Sequence, residues 1–324
     1  MQKFNKMFIR PALSLAALFV LTFASSAQIK LRNAVDYDGD GKADVGVFRG
    51  GTENAWYILK SGGGLIAQQF GSVHTDTLAP GDYDGDGKGD IALWRYTDRN
   101  WYRINSQTNT FSAVQFGAVG DELVQRDYDG DGKTDLAVVR RTSGGAMNWY
   151  ILNSSNGGFR AAQFGLSTDF TAPGDYDGDG KFDLAVQRPG ASAAAQSYFY
   201  VIRSLDNAFT ATAWGLGGDV FVPGDYDGDA RTDLAVVRRG ANPNDNLSWY
   251  ILKSTDGNYL AYSFGTTETD SAVQNDYDGD GKTDVGVVRE SDGTFYVLKS
   301  TDGNLFAANW GFSTDLPIAA YDSH

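Results

Sequence analysis

The chain of 324 residues contains no cysteine, which excludes disulfides, thiolate metal sites, thiol nucleophiles and lipidated cysteines. Proline is scarce too, 7 residues against 40 glycines, so the glycines point to many tight turns rather than to a collagen-like rod. Basic residues are in the minority: 27 Lys and Arg face 41 Asp and Glu, a net charge of −14, without the basic footprint of a nucleic-acid binder. Yet aromatics reach 13% and charged residues only 21%, so this is not a disordered acidic chain. The two histidines, His74 and His324, are isolated and terminal, and no residue departs from its surroundings in a way that marks a catalytic centre. The reading is therefore not an enzyme, with a polysaccharide lyase as the form an enzyme would take.

Long apolar runs are missing except for Ala12 to Phe23, which follows the basic residues Lys3, Lys6 and Arg10 and precedes Ser25-Ser26-Ala27. This has the layout of a secretory signal peptide cleaved after Ala27, and the run is short for a membrane span. The expectation is a signal peptide over 1–27 and one exported domain over 28–324, secreted, periplasmic or at the cell surface, with no membrane span in the mature chain. An exported chain without disulfides needs another staple.

What the sequence has in abundance is a repeat. Asp-Tyr-Asp-Gly-Asp begins at Asp36, Asp82, Asp127, Asp175, Asp225 and Asp276, and the spacings run from 45 to 51 residues. Each copy continues with an apolar run ending in arginine (Arg49, Arg95, Arg140, Arg188, Arg238, Arg289). An aromatic pair such as Trp56-Tyr57 then leads a second run, a Ser/Asn/Gly turn follows, and a third run ends in aromatic-Gly, as in Phe70-Gly71. The runs are short, β-branched or aromatic, and bounded by turn residues, which reads as strands. Four strands per repeat of this length is the blade of a β-propeller. The predicted fold is all-β, six four-stranded blades, with a seven-bladed arrangement or a linear β-array as alternatives. A partial seventh start at 314–322 and the segment 29–36 both resemble first strands, and either could close the ring.

The Asp-rich loops read as calcium sites. In the first, Asp36, Asp38, Asp40 and Asp44 stand at positions 1, 3, 5 and 9, with Gly41 at the sharp turn and Lys42 at position 7 offering its backbone carbonyl. The second loop repeats this with Asp82, Asp84, Asp86, Lys88 and Asp90, and the third with Asp127, Asp129, Asp131, Lys133 and Asp135. The fourth has Asp175, Asp177, Asp179, Lys181 and Asp183. The fifth has Asp225, Asp227, Asp229, Arg231 and Asp233, and the sixth Asp276, Asp278, Asp280, Lys282 and Asp284. Four carboxylates so close together repel without a cation. An EF-hand is rejected because position 12, which would need a bidentate glutamate, is apolar in all six, from Val47 to Val287. The expectation is up to six Ca2+, one per repeat. The Asp225 loop should be the weakest, because Ala230 replaces the turn glycine.

These loops, the Phe-Gly ends and the Ala-Pro-Gly-Asp lead-ins at Ala79 to Asp82 and Ala172 to Asp175 resemble the FG-GAP/VCBS repeat family, whose best-known members are the integrin α-subunit propellers. The resemblance covers residues 29–322. It implies calcium in the hairpin between the first and second strands of each blade. It implies less about the ligand, since the family includes adhesion proteins, lectins and lyases.

Almost all length variation between repeats falls in the loop between the second and third strands. Insertions in repeat proteins gather on one face, often the binding face. In a meander that face lies opposite the calcium hairpins. The six arginines stand at its edge, and an aspartate recurs six residues before each Asp loop (Asp76, Asp121, Asp169, Asp219, Asp270), with Asp315 in the tail. Two readings follow: Arg–Asp pairs tying neighbouring blades, or a ring of donors for a ligand. The aromatic pairs likewise read as packing between blades or as sugar platforms. The expected function is a monomeric binding module for a glycan, or otherwise a cell-surface protein, with no nucleic-acid partner.

Overall fold

The computed structural model describes residues 33–319. The predicted signal peptide lies outside the described residues. Six antiparallel sheets of four strands are present, each in the order inner, second, third, outer. Blade two is Asp76–Leu78, Ile91–Arg95, Asn100–Ile104 and Phe111–Gln115. Blade three is Glu122–Leu123, Leu136–Arg141, Ala146–Leu152 and Phe159–Leu166. Blade four is Phe170–Thr171, Leu184–Arg188, Gln196–Ile202 and Phe209–Leu216. Blade five is Val220–Phe221, Leu234–Arg238, Asn246–Leu252 and Tyr259–Thr266. Blade six is Asp270–Ala272, Val285–Arg289, Thr294–Leu298 and Leu305–Asn309.

Blade one closes the ring. Its second, third and outer strands are Val45–Arg49, Ala55–Leu59 and Leu65–Gln69, and its inner strand is Leu316–Ile318 from the other end of the chain. Ile318 pairs with Gly46 and Leu316 with Phe48. Of the two segments that resemble a first strand, the C-terminal one takes the role. Asn33–Val35 is a 3-10 turn, which supplies only the last inner position: the Val35 carbonyl accepts from the Asp44 amide, as the Gly81 carbonyl accepts from Asp90 in blade two. Pairing the two chain ends in one sheet removes the exposed edges that an open array would leave.

Burial falls from the axis outwards. Second strands are buried almost throughout, and outer strands alternate between half-buried and exposed. That gradient is why the second strands read as continuous apolar runs. Between blades the aromatic pairs supply the packing: Trp56, Trp101, Trp149 and Trp249 are fully buried, as is Phe295, and Phe199 is nearly so. Each such side chain contributes roughly 1.5–3 kcal/mol relative to exposure. Every tryptophan of this set donates its Nε1–H to the carbonyl of the aromatic-Gly residue in its own blade, as Trp56 does to Phe70 at 3.1 Å and Trp149 to Phe164 at 2.9 Å. Blades four and six exchange the two aromatics. Phe199 and Phe295 replace the tryptophan, and Trp214 and Trp310 precede the glycine, donating to Tyr250 and Tyr57 of the next blade.

The aromatic-Gly motif has a steric cause. Gly71 has φ +106°, and a Cβ there would lie 2.7 Å from Leu93 of the next blade. The equivalent glycines press against Val138, Val186, Val236, Val287 and Val47. A larger residue would push neighbouring blades apart.

Candidate metal loops and the opposite face

In blades two to six the Asp loop lies in the hairpin between the inner and second strands, and in blade one it joins the turn Asn33–Val35 to the second strand. The position-1 and position-9 aspartates are buried, and their oxygens hold the loop's own amides. Asp36 accepts from Gly39 at 2.7 Å and Gly41 at 2.9 Å, and Asp44 accepts from Tyr37 at 2.8 Å and Ser61 at 2.6 Å. Ligand-capable oxygens of Asp36, Asp38 and Asp40 converge within 4.8 Å, as do those of Asp82, Asp84 and Asp86 and of Asp225, Asp227 and Asp229. In two further loops the converging set is positions 1, 3 and 9: Asp127, Asp129 and Asp135, and Asp175, Asp177 and Asp183.

The donors are all hard oxygens, as calcium requires. Two of them, Asp38 Oδ1 and Asp227 Oδ1, are buried without a hydrogen-bond partner. An orphaned carboxylate oxygen inside a protein is costly unless something compensates it. Burial also raises the carboxyl groups. Asp44, Asp82, Asp135, Asp175, Asp225 and Asp284 are pushed up to about 6, and Asp183 and Asp233 to about 7. The residues present therefore fit a divalent cation, which would favour the ionised forms that burial disfavours.

Ala230 keeps the loop geometry at a conformational cost. Its φ is +70°, beside +85° at Gly41 and +98° at Gly281, and its amide still donates to Asp225 at 2.9 Å. A Cβ at Gly41, Gly87 or Gly132 would meet nothing within 4 Å, so the penalty is one of backbone conformation and not of space.

Two supports of these loops went unread in the sequence. One is the turn between third and outer strands. Ser61, Ser106, Ser154, Ser204, Ser254 and Ser300 each donate their amide to the position-9 aspartate of their blade, from 2.6 to 2.7 Å. The signal was available, since each of these serines stands four residues after the tyrosine of the aromatic pair. The other is a closed ring of backbone hydrogen bonds between loops. The position-8 amide of each loop donates to the position-1 carbonyl of the preceding one. Gly89 donates to Asp36, Thr134 to Asp82, Phe182 to Asp127, Thr232 to Asp175, Thr283 to Asp225, and Ala43 to Asp276, at 2.6–2.8 Å. The position-7 side chain lies over the neighbouring loop: a Cβ at Gly39 would be 2.9 Å from Lys88, and one at Gly279 3.0 Å from Lys42. These basic residues bridge blades with their stems and leave the carboxylate cluster to its own oxygens.

At the opposite end stand the six arginines, each on an aspartate through two hydrogen bonds. Arg95 holds Asp76 at 2.7 and 2.8 Å, and Arg49 holds Asp315 at 3.0 and 2.8 Å. Arg140–Asp121, Arg188–Asp169, Arg238–Asp219 and Arg289–Asp270 repeat the arrangement. The expected tie between neighbouring blades is corrected here. Asp76 is the cross-strand neighbour of Arg95, so the pair joins inner and second strands of one blade. In five blades the aspartate also accepts an amide from before it in the chain: from the end of the previous blade's outer strand for Leu166 to Asp169, Leu216 to Asp219 and Thr266 to Asp270, and from the connection for Ala118 to Asp121 and Phe312 to Asp315. Each arginine lies over the tyrosine of its blade's aromatic pair, 4.6–4.8 Å from the ring centre. The variable loops, 50–54, 96–99, 142–145, 189–195, 239–245 and 290–293, emerge at this end.

The comparisons with known proteins agree with this geometry. The family model described as FG-GAP-like repeat matches residues 36–93 and 127–186. Two stretches of the chain thus carry FG-GAP-like repeats, and the ring has six blades. A crystal structure of a DUF4784 family protein from Bacteroides caccae is similar at 11% identity with a TM-score of 0.50, covering 85% of this chain and 74% of that one, which speaks to the fold alone. A prolyl endopeptidase structure aligns at 10% identity with a TM-score of 0.44, over 90% of this chain and 52% of that one. No curated protein matches the chain. Among the described residues, no helix is long and apolar enough to cross a membrane.

Proposed function

We propose that the chain is an exported binding module whose calcium loops are scaffold and whose opposite face recognises the ligand, a glycan. The observation that carries this reading is the contrast between the two ends. The Asp-loop end repeats from blade to blade and is cross-tied by a closed ring of hydrogen bonds, while variation in loop length gathers at the other. Calcium would hold the loops by binding the folded state better than the unfolded one. The ring arginines already hold buried aspartates, so ligand contacts fall to the loops and the axial opening beside them. A glycan and polysaccharide binding screen on the purified chain, with calcium and again with chelator, tests the reading. Binding that disappears with chelator supports it. No glycan binding by folded, calcium-loaded protein sinks it and leaves a protein partner. One observation favours that second reading: the two longest loops, 189–195 and 239–245, stand on adjacent blades four and five, a lopsided surface suited to one off-centre partner.

A further inference from the structure

The inner strands of all six blades line an axial cavity of about 780 Å³, whose walls run from Glu290 and Arg141 beside the variable loops to Pro80 and Pro173 at the lead-ins to the Asp loops. Its walls break the repetition seen elsewhere. Five blades contribute Thr77, Glu122, Phe170, Ser271 and Leu316 from one inner-strand position, each a different residue, and blade five contributes Phe221 from the next position along. Phe170 and Leu316 are exposed at 43% and 48%, and the Phe170 and Phe221 rings lie 6.3 Å apart. Polar groups face these apolar walls. Glu122 is held by Arg141 at 2.6 Å and by the Thr171 hydroxyl, and Glu290 accepts from Ser271 at 2.5 Å. Among the described residues Glu290 makes no ion pair, and the lining also carries Arg126, beside the Asp loop of blade three.

We propose that this cavity is a single saccharide site, and that it takes a neutral oligosaccharide of two to four units. The inference rests on the glycan reading above and gives it a place and a chemical class. A cavity of this size, mostly apolar with a few convergent polar groups, is the usual form of a small-ligand site. An apolar ligand would take water from the Glu290 carboxylate, which holds one hydrogen bond, from Ser271, and no ion pair among the described residues, and that is costly. An acidic ligand would meet the Glu290 carboxylate at the variable-loop end, where Arg141 is already held by Glu122. A neutral sugar offers apolar ring faces to Phe170 and Phe221 and hydroxyls that donate to carboxylates.

The test is calorimetric titration of the purified, calcium-loaded chain with neutral gluco- and galacto-oligosaccharides and with oligogalacturonates of equal length. One neutral oligosaccharide is expected to bind per chain, with uronates at least about tenfold weaker. F170A and E290A should each weaken binding about tenfold, and the bulky T77W should abolish it. F111A, which removes a more exposed aromatic from an outer strand, should leave binding unchanged. Melting temperatures report whether each variant is folded, and T77W keeps the question open to test should F170A fold poorly. Several sugars per chain, indifferent to F170A, E290A and T77W, would overturn this site and leave the glycan reading standing. Tighter binding of uronates would overturn the chemical class. Failure of every saccharide would overturn the glycan reading and this site with it.

Discussion

The two ends of the propeller solve one problem in different ways. Both bury carboxylates, but the Asp-loop end clusters them in threes, while the opposite end gives each aspartate its own arginine. Near the Asp loops, blade meets blade directly, through hydrogen bonds from loop to loop. At the other end each arginine–aspartate pair lies within one blade, and the aspartate reaches the blade before it through an amide of that blade's outer strand or of the connection. An end whose carboxylates crowd together and whose loops depend on their neighbours has little freedom to vary. An end stabilised blade by blade can change its loops one at a time, which is what a recognition surface needs.

Removing calcium should break that contrast most severely. At a hundredfold excess over Kd each site contributes about 2.7 kcal/mol to stability. Chelator should therefore lower the melting temperature by tens of degrees, on the order expected for a domain this size. It should also invert the pH dependence. In the metal-free protein, the buried carboxyls pushed up to about 6–7 retain protons that the unfolded chain has already released. Native protein then binds more protons than unfolded protein from about pH 4 to pH 7, so stability falls as pH rises through that window. Melting in chelator should occur at a higher temperature at pH 5 than at pH 7.5, and saturating calcium should remove or reverse the difference.

At the arginine end the effects should be local. Arg188→Ala strands Asp169, whose side chain is fully buried, and should cost about 2–3 kcal/mol, below the range for a fully buried pair because Arg188 is 36% exposed. Denaturant titration checks the value, and calcium stoichiometry should not change. A loss of calcium from the variant would show that the two ends are not independent.

Gln187 sharpens the picture between them. It is 1% exposed, and neither its Nε2 nor its Oε1 has a partner, at a position held by Phe48, Trp94, Val139, Val237 and Val288 in the other blades. Gln187→Val should stabilise the protein by about 1–2 kcal/mol, the cost of an unsatisfied buried amide. The smallest expected effect is Ala230→Gly. Relieving the positive φ should be worth about 0.5–1 kcal/mol and should tighten the Asp225 site, visible as a stronger weakest step in a calcium titration.

Much of this was legible from residue spacing alone. Six copies of one text predicted four strands per repeat, and the hairpin position of the Asp loops followed from the apolar residues at position 12. The closing strand was legible only as one of two candidates, because Asn33–Val35 and Leu316–Ile318 have similar local patterns and only ring geometry separates them. The arginine–aspartate pairs were legible as pairs but not as partners within one blade, since a repeat gives the spacing of two residues without saying across which strands they meet. The loop-to-loop ring is made of backbone groups and leaves no residue signature. The axial cavity was invisible for the opposite reason: its residues differ in every blade, so a search for repetition passes over them.

The most direct measurement is a calorimetric calcium titration of chelator-stripped chain, with the melting temperature followed at each addition. The account predicts close to six ions per chain, with a melting temperature that climbs as the loops fill. A chain that melts at the same temperature with and without calcium, or that takes up none, would contradict it.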